Sequence, residues 1–192
     1  MLELDHQEEP CLPDATPAEI VSFWRHAGPD RWYDVDEAFD QTVRSRFLAI
    51  HEAAARGELA AWEDAAEGAL ALAILLDQFP RNMFRNSARA FATDPSAREV
   101  AGRAIARGFD HTVDETMRSF FYLPFMHSEA LADQDRCLKL YQACGDAEGV
   151  KYAVSHRDII ARFGRFPHRN RVLGRDTTPA EREFLDGGGF AG

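Results

Sequence analysis

The chain has 192 residues, 45% of them hydrophobic, with 14 Phe and 3 Trp. That length suits one domain with a sizeable core. The formal net charge is −10, which argues against nucleic acid as a partner, because free nucleic-acid binders carry a basic excess. No apolar run approaches the roughly 18 residues of a membrane span, and the acidic start (Glu3, Asp5, Glu8, Glu9) is unlike a secretory leader. A cytoplasmic protein is expected.

Residues 1–14, with Pro10 and Pro13 around Cys11, read as a flexible lead-in, residues 15–187 as a single all-α domain, and 188–192 as a Gly-rich tail. Thr16-Pro17-Ala18-Glu19 opens the first helix: Thr can accept from a free backbone N–H, Pro suits the first helical position, and Glu can reach back. The same four residues recur as Thr178-Pro179-Ala180-Glu181 and open the last helix. Phe39, Val43, Phe47, Ile50 and Ala54 place a helix over 36–56, stopped by Gly57. Asp64 is the expected cap of the next helix, which runs through Leu70 and Leu76 and ends at Pro80. Thr93-Asp94-Pro95 opens another, stopped near Gly108. Thr112 or Asp114 opens a segment interrupted by Pro124, and Ser128 to Cys144 reads as a helix closed by Gly145. Asp146 caps a long helix ending near Phe163-Gly164, and no alternating strand pattern of useful length intervenes. Cys137 and Cys144 lie two turns apart on one face, about 10 Å, too far for a disulfide. They read as small core residues in a reducing compartment.

Two segments end alike. Gly57-Glu58 precedes a helix closing on Phe79-Pro80-Arg81-Asn82, and Gly145-Asp146 precedes one closing on Phe166-Pro167-His168-Arg169-Asn170; the Gly-to-Pro separations are 23 and 22 residues. This is the punctuation of helical hairpins of the tetratricopeptide kind, although the regular ~34-residue period is absent. Common helix punctuation accounts for it equally.

Charge is unevenly placed. Arg157 to Arg175 holds six Arg against one acid, Asp158, and Arg81, Arg85 and Arg89 form a second basic stretch. Guanidinium forks suit carboxylate or phosphate, so an anion pocket is one reading. The other is that these Arg pair with the abundant acids elsewhere. His127-Ser128-Glu129 and His156-Arg157-Asp158 place imidazoles near carboxylates, which could move protons. However, neighbours two apart on a helix face different ways unless they sit at its end. Buried polar residues bonded to backbone and Arg are the alternative. Zinc-deaminase, His-Glu-x-x-His, nucleophile-elbow and Gly-rich phosphate-loop patterns are absent. Neither a metal nor a cofactor is expected.

Asp77-Gln78-Phe79-Pro80-Arg81-Asn82, Leu123-Pro124-Phe125-Met126-His127-Ser128-Glu129, His156-Arg157-Asp158-Ile159-Ile160 and Phe163-Gly164-Arg165-Phe166-Pro167-His168-Arg169-Asn170 are distinctive together. With Phe23-Trp24, Phe91-Ala92-Thr93-Asp94 and Leu173-Gly174-Arg175 they resemble the bacterial domain-of-unknown-function family 924, in order over roughly residues 16–190. Phe125-Met126 departs from the more usual polar residue there. The resemblance implies antiparallel helical hairpins stacked as a tetratricopeptide-like array, and no established activity. Its motif residues are Asp77, Arg81, Asn82, His127, Glu129, His156, Arg157, Asp158, Arg165, His168, Arg169 and Asn170.

Three readings follow. The first is a binding module whose Asp77, Arg81, Asn82, Arg157, Arg165, His168, Arg169 and Asn170 surround a small anion or an acidic peptide end. The second is a metal-independent hydrolase or lyase with His127 or Glu129 as base and His156 with Asp158 as acid. The third is a scaffold in which the polar motif is a buried ionic network and Trp32, Tyr33 or Trp62 marks a docking face. Oligomeric state is left open.

Overall fold

The computed structural model describes residues 15–189, which contain helices and turns and no strand. Cys11, the expected lead-in and the last three residues of the expected tail lie outside the described residues. Thr16 caps α1 (Pro17–Ala27) and Thr178 caps α10 (Pro179–Asp186), each through the reciprocal Thr–Glu box that the sequence indicates. Between them lie α2 (Pro29–Trp32), α3 (Glu37–Ala55), α4 (Ala66–Ala73), α5 (Phe79–Met83), α6 (Asp94–Ala106), α7 (Glu115–Met126), α8 (Leu131–Cys144) and α9 (Ala147–Phe163). Helix α1 packs on α4 and α3 on α5, whereas α6 to α9 pack in succession, each on the next. Among the described residues no helix is long and apolar enough to cross a membrane.

An aromatic cluster anchors the N-terminal half. Phe79 lies 4.9 Å from Phe47, 5.5 Å from Trp24 and 6.2 Å from Phe23, ring centre to ring centre. Trp24, Phe47 and Phe79 are all fully buried. Burying each such ring contributes roughly 1.5–3 kcal/mol, so Phe79 fixes both position and rotation of the chain on either side of it. Trp32 also enters this cluster, stacked on Trp24 with its indole N–H donating to the Trp24 carbonyl at 2.7 Å. Tyr33 beside it is exposed. A smaller apolar group of Ile159, Ile160 and Phe166, with Phe163 and Phe184, holds the C-terminal segment.

Several expected boundaries are corrected. Asp64 does not cap α4: it ends a tight turn over Ala60–Asp64, and Ala65 is the capping position. That turn lies so close to α4 that a Cβ on Gly68 would fall 2.1 Å from the Trp62 carbonyl oxygen. Asp114, not Thr112, caps α7 through the Met117 N–H. Pro124 does not interrupt α7; the helix runs on to Met126. Ser128 precedes α8 rather than starting it, because its hydroxyl donates to Asp133 at 2.6 Å and accepts the Ala130 N–H at 3.2 Å, holding an elbow between α7 and α8.

Pro80 does not end its helix either. Residues Ile74–Gln78 form a π turn, and the chain continues without a break into α5 with Pro80 at its start. The Phe79 N–H reaches the Ile74 carbonyl, five residues back. In a regular α-helix the carbonyls of Leu75 and Leu76 would accept from residues 79 and 80, but the first donor is diverted and proline has none. Both carbonyls are buried and must be bonded. His51 donates Nδ1–H to Leu75 O at 2.8 Å, and Thr93 donates its hydroxyl to Leu76 O at 2.6 Å. The segments closing on Phe79-Pro80-Arg81-Asn82 and Phe166-Pro167-His168-Arg169-Asn170 are therefore built differently: Pro167 follows a left-handed Gly164 and opens a tight turn over Pro167–Arg169.

Thr93→Val keeps the side-chain shape and removes the hydroxyl that serves Leu76 O. A buried carbonyl left unbonded costs about 1–3 kcal/mol, so the variant should unfold at lower urea concentration with an unchanged m-value. An unchanged midpoint would show that the carbonyl finds another donor.

Candidate functional site

The π turn places Asp77 and Arg81 one helical turn apart on the face opposite Phe79. Asp77 is 1% exposed. It accepts from His127 Nδ1 at 2.8 Å and from Gln78 Nε2 at 2.5 Å, and forms an ion pair with Arg81 Nη1 at 3.3 Å. Burial alone would push its pKa up, but Arg81 and then His127 outweigh that and hold the carboxyl far below the usual range. Arg81 also donates to Asp94 through both Nη atoms, at 3.0 and 3.1 Å, and to the Asp77 carbonyl. Asp94 opens α6, where a carboxylate is favoured by the exposed N–H groups and dipole of the helix end.

Arg169 approaches Asp94 from the other side. Its Nη1 lies 3.6 Å from Asp94 Oδ2, a long ion pair without a hydrogen bond. The guanidinium is sandwiched between Phe91 and Phe166, 4.5 Å from each ring centre. Arg169 is 6% exposed, and its Nε is buried with no hydrogen-bond partner. Burial, and then the neighbouring Arg81, lower its pKa to about 10, so it stays charged at neutral pH. Arg169, Asp94, His127, Glu129 and Phe91 line one cleft of about 420 Å³.

Glu129 stands at the same cleft but its oxygens are engaged. Arg175 donates to both, at 2.7 and 3.0 Å, and the Phe166 N–H donates to Oε1 at 2.8 Å. Although burial raises its pKa, Arg175 and the Phe166 N–H lower it further. This carboxylate clamps the loop that carries Phe166 and Arg169. A general base needs a free lone pair, and these bonds leave Glu129 poorly placed for that role.

The other residues singled out from sequence are dispersed. Asn82 donates to Asp40 on α3 at 2.8 Å, beside Arg85. Arg157 pairs with Asp135 at 2.6 Å on the surface of α8 and α9. Asp158 is 68% exposed at its side chain, with Arg157 at 3.8 Å. His156 is buried and donates Nδ1–H to the Tyr152 carbonyl at 2.8 Å. His156 and Asp158 therefore face opposite ways, as residues two apart on a helix must, and do not form an acid pair. Arg165 is bidentate on Glu181 at 2.6 and 2.9 Å. Asn170 is buried and donates to Thr177 at 3.4 Å; both residues tie down α10. His168 and His156 lie against Phe166, behind the cleft wall.

Sequence reasoning treated Asp94 as a helix opener and did not single out Phe91 or Arg175 for the site. The signal lay in the blocks Phe91-Ala92-Thr93-Asp94 and Leu173-Gly174-Arg175. Among the described residues no three His, Cys, Asp or Glu side chains gather as ligands for a metal ion.

The family model described as bacterial protein of unknown function (DUF924) matches residues 20–189. A solved structure of a protein of unknown function, ATU0120 from Agrobacterium tumefaciens, is 53% identical with a TM-score of 0.86, over 89% of this chain and 97% of that one. No curated protein matches.

The buried histidines set an acid limit on stability. Burial is the main cause lowering the pKa of His51, His127, His156 and His168 from 6.5, the last to about 3. The unfolded chain thus binds protons at a pH where the fold does not. Stability is full above pH 6.5 and falls as pH drops through the range down to the folded values. Each such proton costs about 1.4 kcal/mol per pH unit. The depressed carboxyls of Asp77 and Glu129 act in the same direction below about pH 4.5. Thermal melts should show a falling Tm from pH 7 to 5; a flat or rising Tm would contradict the buried neutral state.

Proposed function

We propose that this chain, which belongs to the bacterial family of unknown function DUF924, is a cytoplasmic binding protein for a small anion, free or at the end of an acidic peptide. The observation that carries the reading is Arg169: a charged, buried guanidinium on a cleft wall, with one distant carboxylate and no hydrogen bond to its Nε. A guanidinium offers five donors in a planar fork, and a buried donor left unbonded is costly. A carboxylate or phosphate in the cleft would give this guanidinium the close counter-ion that Asp94, at 3.6 Å, does not. The two flanking rings hold the fork flat and pre-organised, which lowers the ordering cost of binding. The cleft volume, about 420 Å³, falls in the usual range for small-molecule sites.

Long-range attraction contributes little. Asp77, Asp94 and Glu129 balance Arg81, Arg169 and Arg175 in the cluster, so affinity rests on directed hydrogen bonds and should depend only weakly on salt. The cytoplasmic assignment accords with the free thiols of Cys137 and Cys144.

A second reading, a metal-independent acid–base enzyme, draws support from the Asp77–His127 pair alone. Its intended acid, His156 with Asp158, has no such geometry, so binding is the better supported reading.

A screen of phosphate, citrate and short mono- and dicarboxylates by thermal shift tests the proposal. A ligand at about 100 times its Kd should stabilise the protein by about 2.7 kcal/mol. Arg169→Gln should weaken binding about 10- to 100-fold, the cost of a lost charge-assisted contact. Undiminished binding by that variant, or no response to any anion, would refute it.

A further inference from the structure

The cleft holds a second directional group besides Arg169. Every neighbour of the Asp77 carboxylate is a donor: His127 Nδ1, Gln78 Nε2 and Arg81 Nη1. An ionised carboxylate can only accept, so the His127 proton sits on Nδ1. The ring is neutral near pH 7, since burial and then Arg81 lower its pKa. Its Nε2 therefore carries a lone pair, and no described residue bonds it. The other side-chain acceptors at this cleft are engaged. Arg81 occupies both oxygens of Asp94, Arg175 and the Phe166 N–H occupy Glu129, and the Ser128 hydroxyl is held by Asp133 and the Ala130 N–H.

We propose that His127 Nε2 is a specificity-determining acceptor, and that the ligand is a small hydroxy carboxylate whose acid group meets Arg169 and whose hydroxyl donates to His127. This rests on the anion-binding reading of the cleft and names the ligand class for it. An oxo acid would point a carbonyl lone pair at the Nε2 lone pair. An unsubstituted acid would leave Nε2 without a partner, and a site built to bond a hydroxyl discriminates against analogues that lack it. An amino acid also offers a donor, but its ammonium would lie where burial and Arg81 already disfavour a positive imidazole. A neutral hydroxyl satisfies the acceptor without adding a cation.

Two matched series test this by calorimetry on the full chain: lactate, pyruvate, propionate and alanine, and malate, oxaloacetate, succinate and aspartate. The hydroxy acid of at least one series should bind about tenfold or more tightly than its three partners, the effect of one hydrogen bond of ~1.4 kcal/mol. His127→Phe should erase that preference. Nitrogen NMR of the wild-type ring gives a readout independent of whether the variant folds: Nε2 should report an unprotonated nitrogen that shifts with the hydroxy acid and not with the deoxy acid. Equal affinities across each series, with loss of all of them in Arg169→Gln, would overturn the hydroxyl assignment and leave the anion cleft standing. Tighter binding of the amino or oxo acids, or a preference that survives His127→Phe, would also overturn it. No binding by any of the eight acids or by the inorganic and citrate probes would remove both.

Discussion

Two helix carbonyls that lose their usual i+4 donors, at Leu75 and Leu76, govern the polar centre of this protein. The π turn and Pro80 remove their usual donors, and the fold replaces them from outside the helix with His51 of α3 and Thr93 just before α6. Those two bonds tie α3 and the start of α6 to the same turn. Phe79 buries the opposite face in the aromatic cluster. The turn is thereby held on several sides, and Asp77 and Arg81 project from it toward Asp94, His127 and Arg169. A regular helix through residues 74–83 would change the rotation of everything after it by a fraction of a turn, and π turns are frequent at functional sites.

Around that turn the neutral His127 bonds to Asp77, and from there Asp77, Arg81, Asp94 and Arg169 follow in alternating sign. Taking such groups out of water is expensive unless each is bonded. Asp77, Arg81 and Asp94 are bonded fully and to one another. Arg169 is the exception, set between two rings with only a long contact to Asp94. A purely structural network would have no reason to leave its last member short of partners beside a cleft. The proposal about an anion concerns that departure, and the proposal about its hydroxyl concerns His127 Nε2 at the same cleft.

The +5 segment from Arg157 to Arg175 has a different meaning in three dimensions. Arg157, Arg165 and Arg175 pair with Asp135, Glu181 and Glu129. Arg171 bonds to Asn86, and Arg162 lies over Phe163. The reading that abundant acids consume these arginines holds for most of them, and the anion reading narrows to one. Linear charge density identified the right segment but could not say which cation lacks a close carboxylate, because the acids paired with Arg157, Arg165 and Arg175 lie 16 to 46 residues away along the chain.

Helix starts that carry a side-chain cap were legible from the sequence because capping is local, whereas α4 and α8, which have none, were misplaced at Asp64 and Ser128. The Thr-Pro-Ala-Glu boxes, Asp114 and Asp146 each act within three residues, and the left-handed glycines 108, 145 and 164 end helices by a property of one residue. The candidate site was legible in part: Asp77, Arg81, His127, Glu129 and Arg169 do converge, and they belong to motifs whose polar composition packing alone does not explain. What only the tertiary structure decided was where local rules give way. Pro80 continues its helix because His51 and Thr93, distant in sequence, supply the bonds a proline denies it. Asp94 becomes the shared counter-ion of two arginines because α6 begins beside the π turn. A proline or an aspartate carries the same local preferences everywhere; its final role depends on which donors the rest of the chain brings within 3 Å.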